Sequence, residues 1–124
     1  MKAFKVFAVT ALFAASFAML VEATVKSGFT GQICITKFED KNSNGVRDAG
    51  EPGLPGWTFI ITPGNIRVTT GAGGKVCFTR PTPGVYKITE QPQLGWTSIG
   101  PASKIVTLHP GQTVTVSFAN GRVM

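Results

Sequence analysis

Beyond residue 30 no stretch of this chain repeats apolar residues at helical spacing. Short β-branched and aromatic runs alternate instead with Gly/Pro clusters, which restricts the chain to an all-β sandwich or barrel. Strands are predicted at 32–39, 57–62, 66–70, 75–80, 85–90, 104–109 and 112–119. Between them Pro63-Gly64-Asn65 and Gly71-Ala72-Gly73-Gly74 supply positive-φ turns. Pro81, Pro83 and Gly84 interrupt the ladder before Val85, and Pro110-Gly111 makes a tight link between the last two strands. Seven strands in about ninety residues fit two packed sheets, an antiparallel-rich β-sandwich.

Alternation assigns faces to these strands. Ile33, Ile35 and Lys37 share one side of the first strand, opposite Cys34, Thr36 and Phe38. Tyr86, Ile88 and Glu90 fall together, as do Val114, Val116, Phe118 and Asn120. An amine, an acid and an amide therefore each continue an apolar row that faces the core.

The N-terminus reads as an export signal. Lys2 and Lys5 form a positive region, residues 6–21 are apolar apart from Thr10 and Ser16, and Val21-Glu22-Ala23 offers a cleavage site. This run falls short of the roughly 20 residues that span a bilayer, so residues 1–23 are predicted to be a signal peptide, the alternative being an N-terminal anchor. Residues 24–124 then form one secreted domain with a single core and no membrane span. Removing Lys2, Lys5 and Glu22 leaves ten basic and five acidic side chains. Four of the acids, Glu39, Asp40, Asp48 and Glu51, lie in or beside one loop, with Glu90 the fifth. The remaining surface is basic, which suits polyanions or simply maintains solubility. No motif points to specific nucleic-acid recognition.

The acid-rich segment is Asp40-Lys41-Asn42-Ser43-Asn44-Gly45-Val46-Arg47-Asp48-Ala49-Gly50-Glu51, a gapless match to the twelve-position calcium loop D-x-N-x-N-G-x5-E. Calcium takes six to eight oxygens in a flexible shell. Asp40, Asn42 and Asn44 present side-chain oxygens, Gly45 permits the sharp turn, and Val46 offers its carbonyl. Asp48 binds directly or through water, and Glu51 closes the shell. A strand leads in and Pro52-Gly53-Leu54-Pro55-Gly56 leads out. Without an EF-hand's helix pair, Ca2+ is expected to clip the fold together and not to signal.

The run from Lys37 through Asp40, Gly45 and Glu51 to Trp57 resembles the opening of an SdrD B-like domain, one of the collagen-adhesin B-type (CnaB) modules of bacterial surface proteins. Gly84-Val85-Tyr86-Lys87-Ile88-Thr89-Glu90, Gly95-Trp96-Thr97, Gly111-Gln112-Thr113-Val114-Thr115-Val116 and Phe118-Ala119-Asn120 continue the resemblance over nearly all of residues 24–124. It implies a transthyretin-like (prealbumin-like) fold, a bound calcium, and a stalk, scaffold or adhesion role. Such modules usually occur in tandem, whereas one copy is present here, and the cysteine pair is not a usual family feature.

The resemblance also gives Lys37, Glu90 and Asn120 a chemical meaning. Many CnaB domains join a first-strand Lys to a last-strand Asn with help from an acid on a middle strand. Burial favours a neutral Lys37 as nucleophile, and Glu90 is expected to donate a proton to the Asn120 carbonyl as ammonia leaves. The alternative is that all three end their strands at the rim and only hydrogen-bond there.

Cys34 and Cys77 both fall on outward rows. An even count in an exported chain favours a disulfide, which requires the first and fourth strands to be neighbours, as in transthyretin-like sheets; otherwise both are free thiols. His109 has no Ser, Cys or carboxylate near it in sequence and reads as a surface residue. Trp57 is expected in the core, and Trp96 either lids the sandwich edge or stacks on sugars. The chain carries no paired carboxylates, triad or phosphate loop and is expected to be no enzyme. The sequence thus points to a calcium-stabilised structural or adhesive module, secreted or held at the cell surface, that meets an extracellular protein or polysaccharide surface or associates with itself. The alternative is a carbohydrate- or polyanion-binding module that uses the basic surface and Trp96.

Overall fold

The computed structural model of the chain describes residues 31–79 and 81–123. The predicted signal peptide, the first residues after it and Arg80 lie outside the described residues. Eight strands are present among them: β1 (Gln32–Glu39), β2 (Thr58–Thr62), β3 (Ile66–Thr69), β4 (Lys75–Thr79), β5 (Gly84–Glu90), β6 (Trp96–Ile99), β7 (Ser103–Leu108) and β8 (Thr113–Arg122).

They form two four-stranded sheets, ordered β4-β1-β8-β6 and β3-β2-β5-β7. From β3 onward every connection carries the chain to the other sheet, so sheets and turns assemble together. The pairs are antiparallel except β1 and β8, which run parallel in the middle of their sheet. This is the predicted all-β sandwich with one strand more. The additional strand, β6, pairs with the end of β8, which runs on through Gly121 to Arg122 because Trp96 and Thr97 oppose Arg122 and Gly121.

The alternation of sequence sets the core. Ile33, Ile35, Phe59, Ile61, Ile88, Leu108, Val116 and Phe118 are buried between the sheets, with the Phe59 and Phe118 rings 4.8 Å apart. Each such side chain contributes about 1.5–3 kcal/mol relative to exposure. Tyr86, also buried, donates its hydroxyl to the Thr82 carbonyl, which meets its hydrogen-bonding need inside the apolar row.

Past Thr36 the β4 side of β1 is taken over by the chain leaving residue 51. Glu39 donates its N–H to the Pro52 carbonyl at 2.9 Å, and Leu54 donates to the Lys37 carbonyl at 2.8 Å. Phe38, on the outward row, is buried and bridges to Gly53. Gly74 seals this junction at φ +77°: a Cβ there would meet the Lys37 carbonyl oxygen at 2.3 Å and the Leu54 nitrogen at 2.5 Å. Cys34 opposes Cys77 in the β1–β4 register, and the two form a disulfide. Cys34 is buried although its row faces outward, whereas Cys77 is exposed.

Candidate functional site

Lys37 on β1 and Asn120 on β8 share one sheet; Glu90 closes β5 on the other. Their rows converge at one end of the core. Lys37 is 0%, Asn120 1% and Glu90 4% exposed, so none of them lies at a solvated rim. Lys37 Nζ donates to Glu90 Oε1 at 2.8 Å and to Asn120 Oδ1. Asn120 Nδ2 donates to Glu90 Oε2, also at 2.8 Å. The two carboxylate oxygens therefore divide between the amine and the amide nitrogen. Sequence reasoning placed Glu90 against the Asn120 carbonyl; in the structure that oxygen faces Lys37 instead.

Desolvation pushes the Lys37 pKa below the ordinary lysine value, and nearby Lys104 adds to the fall. The hydrogen bond and charge of Glu90 oppose it without cancelling it. Trp57 lies beside the amine, 4.2 Å from Nζ to ring centroid. Trp96 meets Trp57 edge to face at 5.7 Å, and the Arg122 guanidinium sits 4.5 Å from a Trp96 ring centroid. Arg122 in turn pairs with Glu39 at 3.2 Å. Trp96 is thus the half-buried lid of the sandwich edge. Sequence reasoning missed this tryptophan pair, although the β-forming run Trp96-Thr97-Ser98-Ile99 carried a signal for the strand that positions it.

The loop at residues 40–51 coils around its own acids. Asp40 Oδ2 accepts from the Gly45 N–H at 2.7 Å and Oδ1 from the Asn44 N–H at 3.3 Å. Asn42 Oδ1 and Asn44 Oδ1 accept from the backbone of Asn44 and Val46. Asp48 Oδ2 receives Nδ2 of both Asn42 and Asn44, at 2.9 and 2.8 Å. Glu51 spans the coil: Oε1 accepts from the Asp48 N–H at 2.7 Å, Oε2 from the Lys41 N–H at 2.8 Å. Asp40 and Glu51 are 1% and 7% exposed, and the two ion pairs among the described residues involve neither of them nor Asp48. Among the described residues no three His, Cys, Asp or Glu side chains are gathered closely enough to hold a metal by themselves. The donor set here is mixed: carboxylates plus the amide oxygens of Asn42 and Asn44 and the Val46 carbonyl. Buried Asp40 and Glu51, exposed Asp48 and the neutral oxygens between them form a donor set that would suit a hard, oxygen-seeking ion. The loop is tied to β8, for the Asp40 N–H donates to the Asn120 backbone carbonyl at 2.8 Å.

His109 is exposed at the end of β7, and its backbone N–H donates to Gln112. Among the described residues no helix is long and apolar enough to cross a membrane.

No protein-family model and no curated protein matches the sequence. Solved structures do resemble the fold. GBS52, the minor pilin of Streptococcus agalactiae, superposes with a TM-score of 0.60 at 23% identity, over 77% of this chain and 45% of that one. The shaft pilin SpaA of Lactobacillus rhamnosus GG gives 0.59 at 19% identity, over 77% and 52%. The Bacillus anthracis TIE protein gives 0.58 at 24%, over 76% and 17%. The matched part of this chain corresponds to about half or less of each of those chains. The fold is that of Gram-positive pilin domains, a CnaB-like (prealbumin-like) β-sandwich.

Proposed function

We propose that this chain is a secreted structural module of a cell surface or extracellular matrix, closed by a Lys37–Asn120 isopeptide bond and stabilised by calcium in the loop at residues 40–51. The buried contact of Lys37, Glu90 and Asn120 carries the reading. A surface module needs neither a buried amine nor a buried amide to fold, and such groups are costly unless fully paired. Pilins, which share the fold, are structural proteins of the cell surface. Neighbours of that kind favour a role in scaffolding, adhesion to an extracellular protein or polysaccharide, or self-association.

The geometry suits a single self-reaction. Lys37 Nζ, as a neutral amine, attacks Asn120 Cγ, forming a C–N bond while the Cγ–Nδ2 bond breaks. Glu90 accepts one proton from the attacking amine and passes that proton to the departing nitrogen, so its carboxylate is regenerated. The products are a secondary amide between β1 and β8 and one ammonia. Trp57 keeps water from the amine. In the loop, Asp40, Asn42, Asn44, the Val46 carbonyl, Asp48 and Glu51 would hold calcium, which when bound neutralises the acids.

Intact mass of the reduced, processed chain tests the bond: one ammonia is missing if it forms, and full mass rejects it. The alternative, a glycan- or polyanion-binding module, is favoured by the exposed Lys41, Arg47, Arg67, Lys75 and Lys87. Trp96 contributes little to it, being half-buried against Trp57 and beneath Arg122. Binding to heparin that falls steeply with salt would support it.

A further inference from the structure

We infer that cation binding in the loop at residues 40–51 gates the formation of the Lys37–Asn120 cross-link. This rests on the proposed reading of both sites and adds a connection between them. Each reacting residue is held by the loop through its own backbone carbonyl. Asn120 accepts from Asp40, the first residue of the loop, and Lys37 accepts from Leu54, three residues past its end, both at 2.8 Å. Between these two bonds Glu39 donates to Pro52 at 2.9 Å, so the ends of the loop are laced to β1 and β8 at the very residues that must meet. Gly74 locks the Lys37–Leu54 junction from behind, since no side chain fits there.

The loop is also where uncompensated charge concentrates. Asp40, Asp48 and Glu51 share one coil, and no ion pair among the described residues engages them. Without a cation their repulsion loosens the coil; a divalent ion draws Asp40 and Glu51 together and tightens both ends. Attack by an amine on an amide carbon is sensitive to placement, and an error of about 1 Å costs on the order of 100-fold in rate. A loose loop therefore leaves Lys37 and Asn120 adjacent but misaligned, and a filled one brings them into line. The consequence is a chain that stays unlinked where calcium is scarce and seals itself after export into calcium-rich surroundings.

The test is cell-free synthesis of the full chain in EGTA, with intact mass followed before and after calcium is added. Ammonia loss is expected to accelerate at least tenfold with calcium, and Asp48→Asn is expected to lose that acceleration. Equal rates in EGTA and calcium, alongside a calcium-induced rise in Tm, overturn the gating and leave the two sites standing. No ammonia loss in either condition overturns the cross-link itself and the gating with it. A second measurement guards against a calcium effect on folding alone. In Asn120→Ala, which cannot cross-link, hydrogen exchange of the Asp40 and Leu54 amides should slow with calcium more than that of the Ile88 amide in the core. Uniform slowing of all three would reject the inference.

Discussion

Lys37 Nζ lies 4.2 Å from the centroid of the Trp57 ring. Trp57 just precedes β2, where its N–H donates to the Thr70 hydroxyl at 3.0 Å and Thr70 donates onward to the Leu54 carbonyl. The ring is thereby fixed over the amine while the same bonds anchor the segment that follows the loop. It walls Lys37 from water and offers a π face to whatever charge the amine carries.

Replacing Trp57 with Ala opens this wall and leaves a cavity between Lys37 and Trp96. The expected loss is about 3–5 kcal/mol of unfolding free energy, the range for large aromatic truncations in a core. Urea unfolding of Trp57→Ala beside the parent checks it. A loss within experimental error would mean that Trp96 or solvent closes the gap without cost.

Much of this arrangement was legible in the sequence because period-two alternation is a local signal. It assigned Lys37, Glu90 and Asn120 to core-facing rows, and all three are buried there; β1 begins and ends where its pattern does. Features that depend on the partner strand were not legible. β6 has only four residues beside a Gly/Pro-rich stretch, and it exists because β8 runs past Gly121 to meet it. The parallel pairing of β1 with β8 and the burial of Phe38 on the outward row also follow from long-range contacts. The orientation of the Asn120 amide, which puts its nitrogen on Glu90, depends on three side chains meeting from three strands. No spacing in the sequence encodes it.

The disulfide should matter chiefly through the unfolded chain. Cys34 and Cys77 are 43 residues apart, and closing a loop of that size is worth about 2–4 kcal/mol. Cys77→Ser is the cleaner variant, because Cys77 is exposed and its replacement leaves the core intact. We expect its urea midpoint to match that of the reduced parent. A Cys77→Ser chain as stable as the oxidised parent would show that β4 is held by its ladder with β1 alone.

Chelation separates the loop's cation from its hydrogen bonds. With calcium at about 100 times its Kd, stability should rise by roughly 2.7 kcal/mol, and EGTA should remove that increment. Asp48→Asn, at an exposed position, should lose most of this response. Asp40→Ala should be weaker even in EGTA, by about 1–3 kcal/mol, because the Gly45 and Asn44 N–H groups lose their acceptor. A Tm for the parent that calcium and EGTA leave unchanged would remove the cation from the account.

The depressed pKa of Lys37 predicts a particular pH dependence once the cross-link is blocked. In Asn120→Ala the amine has no amide to attack and remains free to titrate. Its folded-state value lies below the ordinary 10.5, chiefly through desolvation. Between the two values the unfolded chain holds a proton that the folded chain has already released, so stability climbs with pH across that window. Below the window both states are protonated, above 10.5 neither is, and the contribution of Lys37 is flat on each side. Other groups titrate in the same range, so the informative quantity is the difference from Lys37→Met/Asn120→Ala, which lacks the amine. Urea midpoints of the single and double variants, measured from neutral pH to beyond 10.5, should diverge with a steeper rise in Asn120→Ala. Parallel curves would mean that Lys37 keeps its proton in the folded chain as readily as in the unfolded one, and the amine would then be no nucleophile.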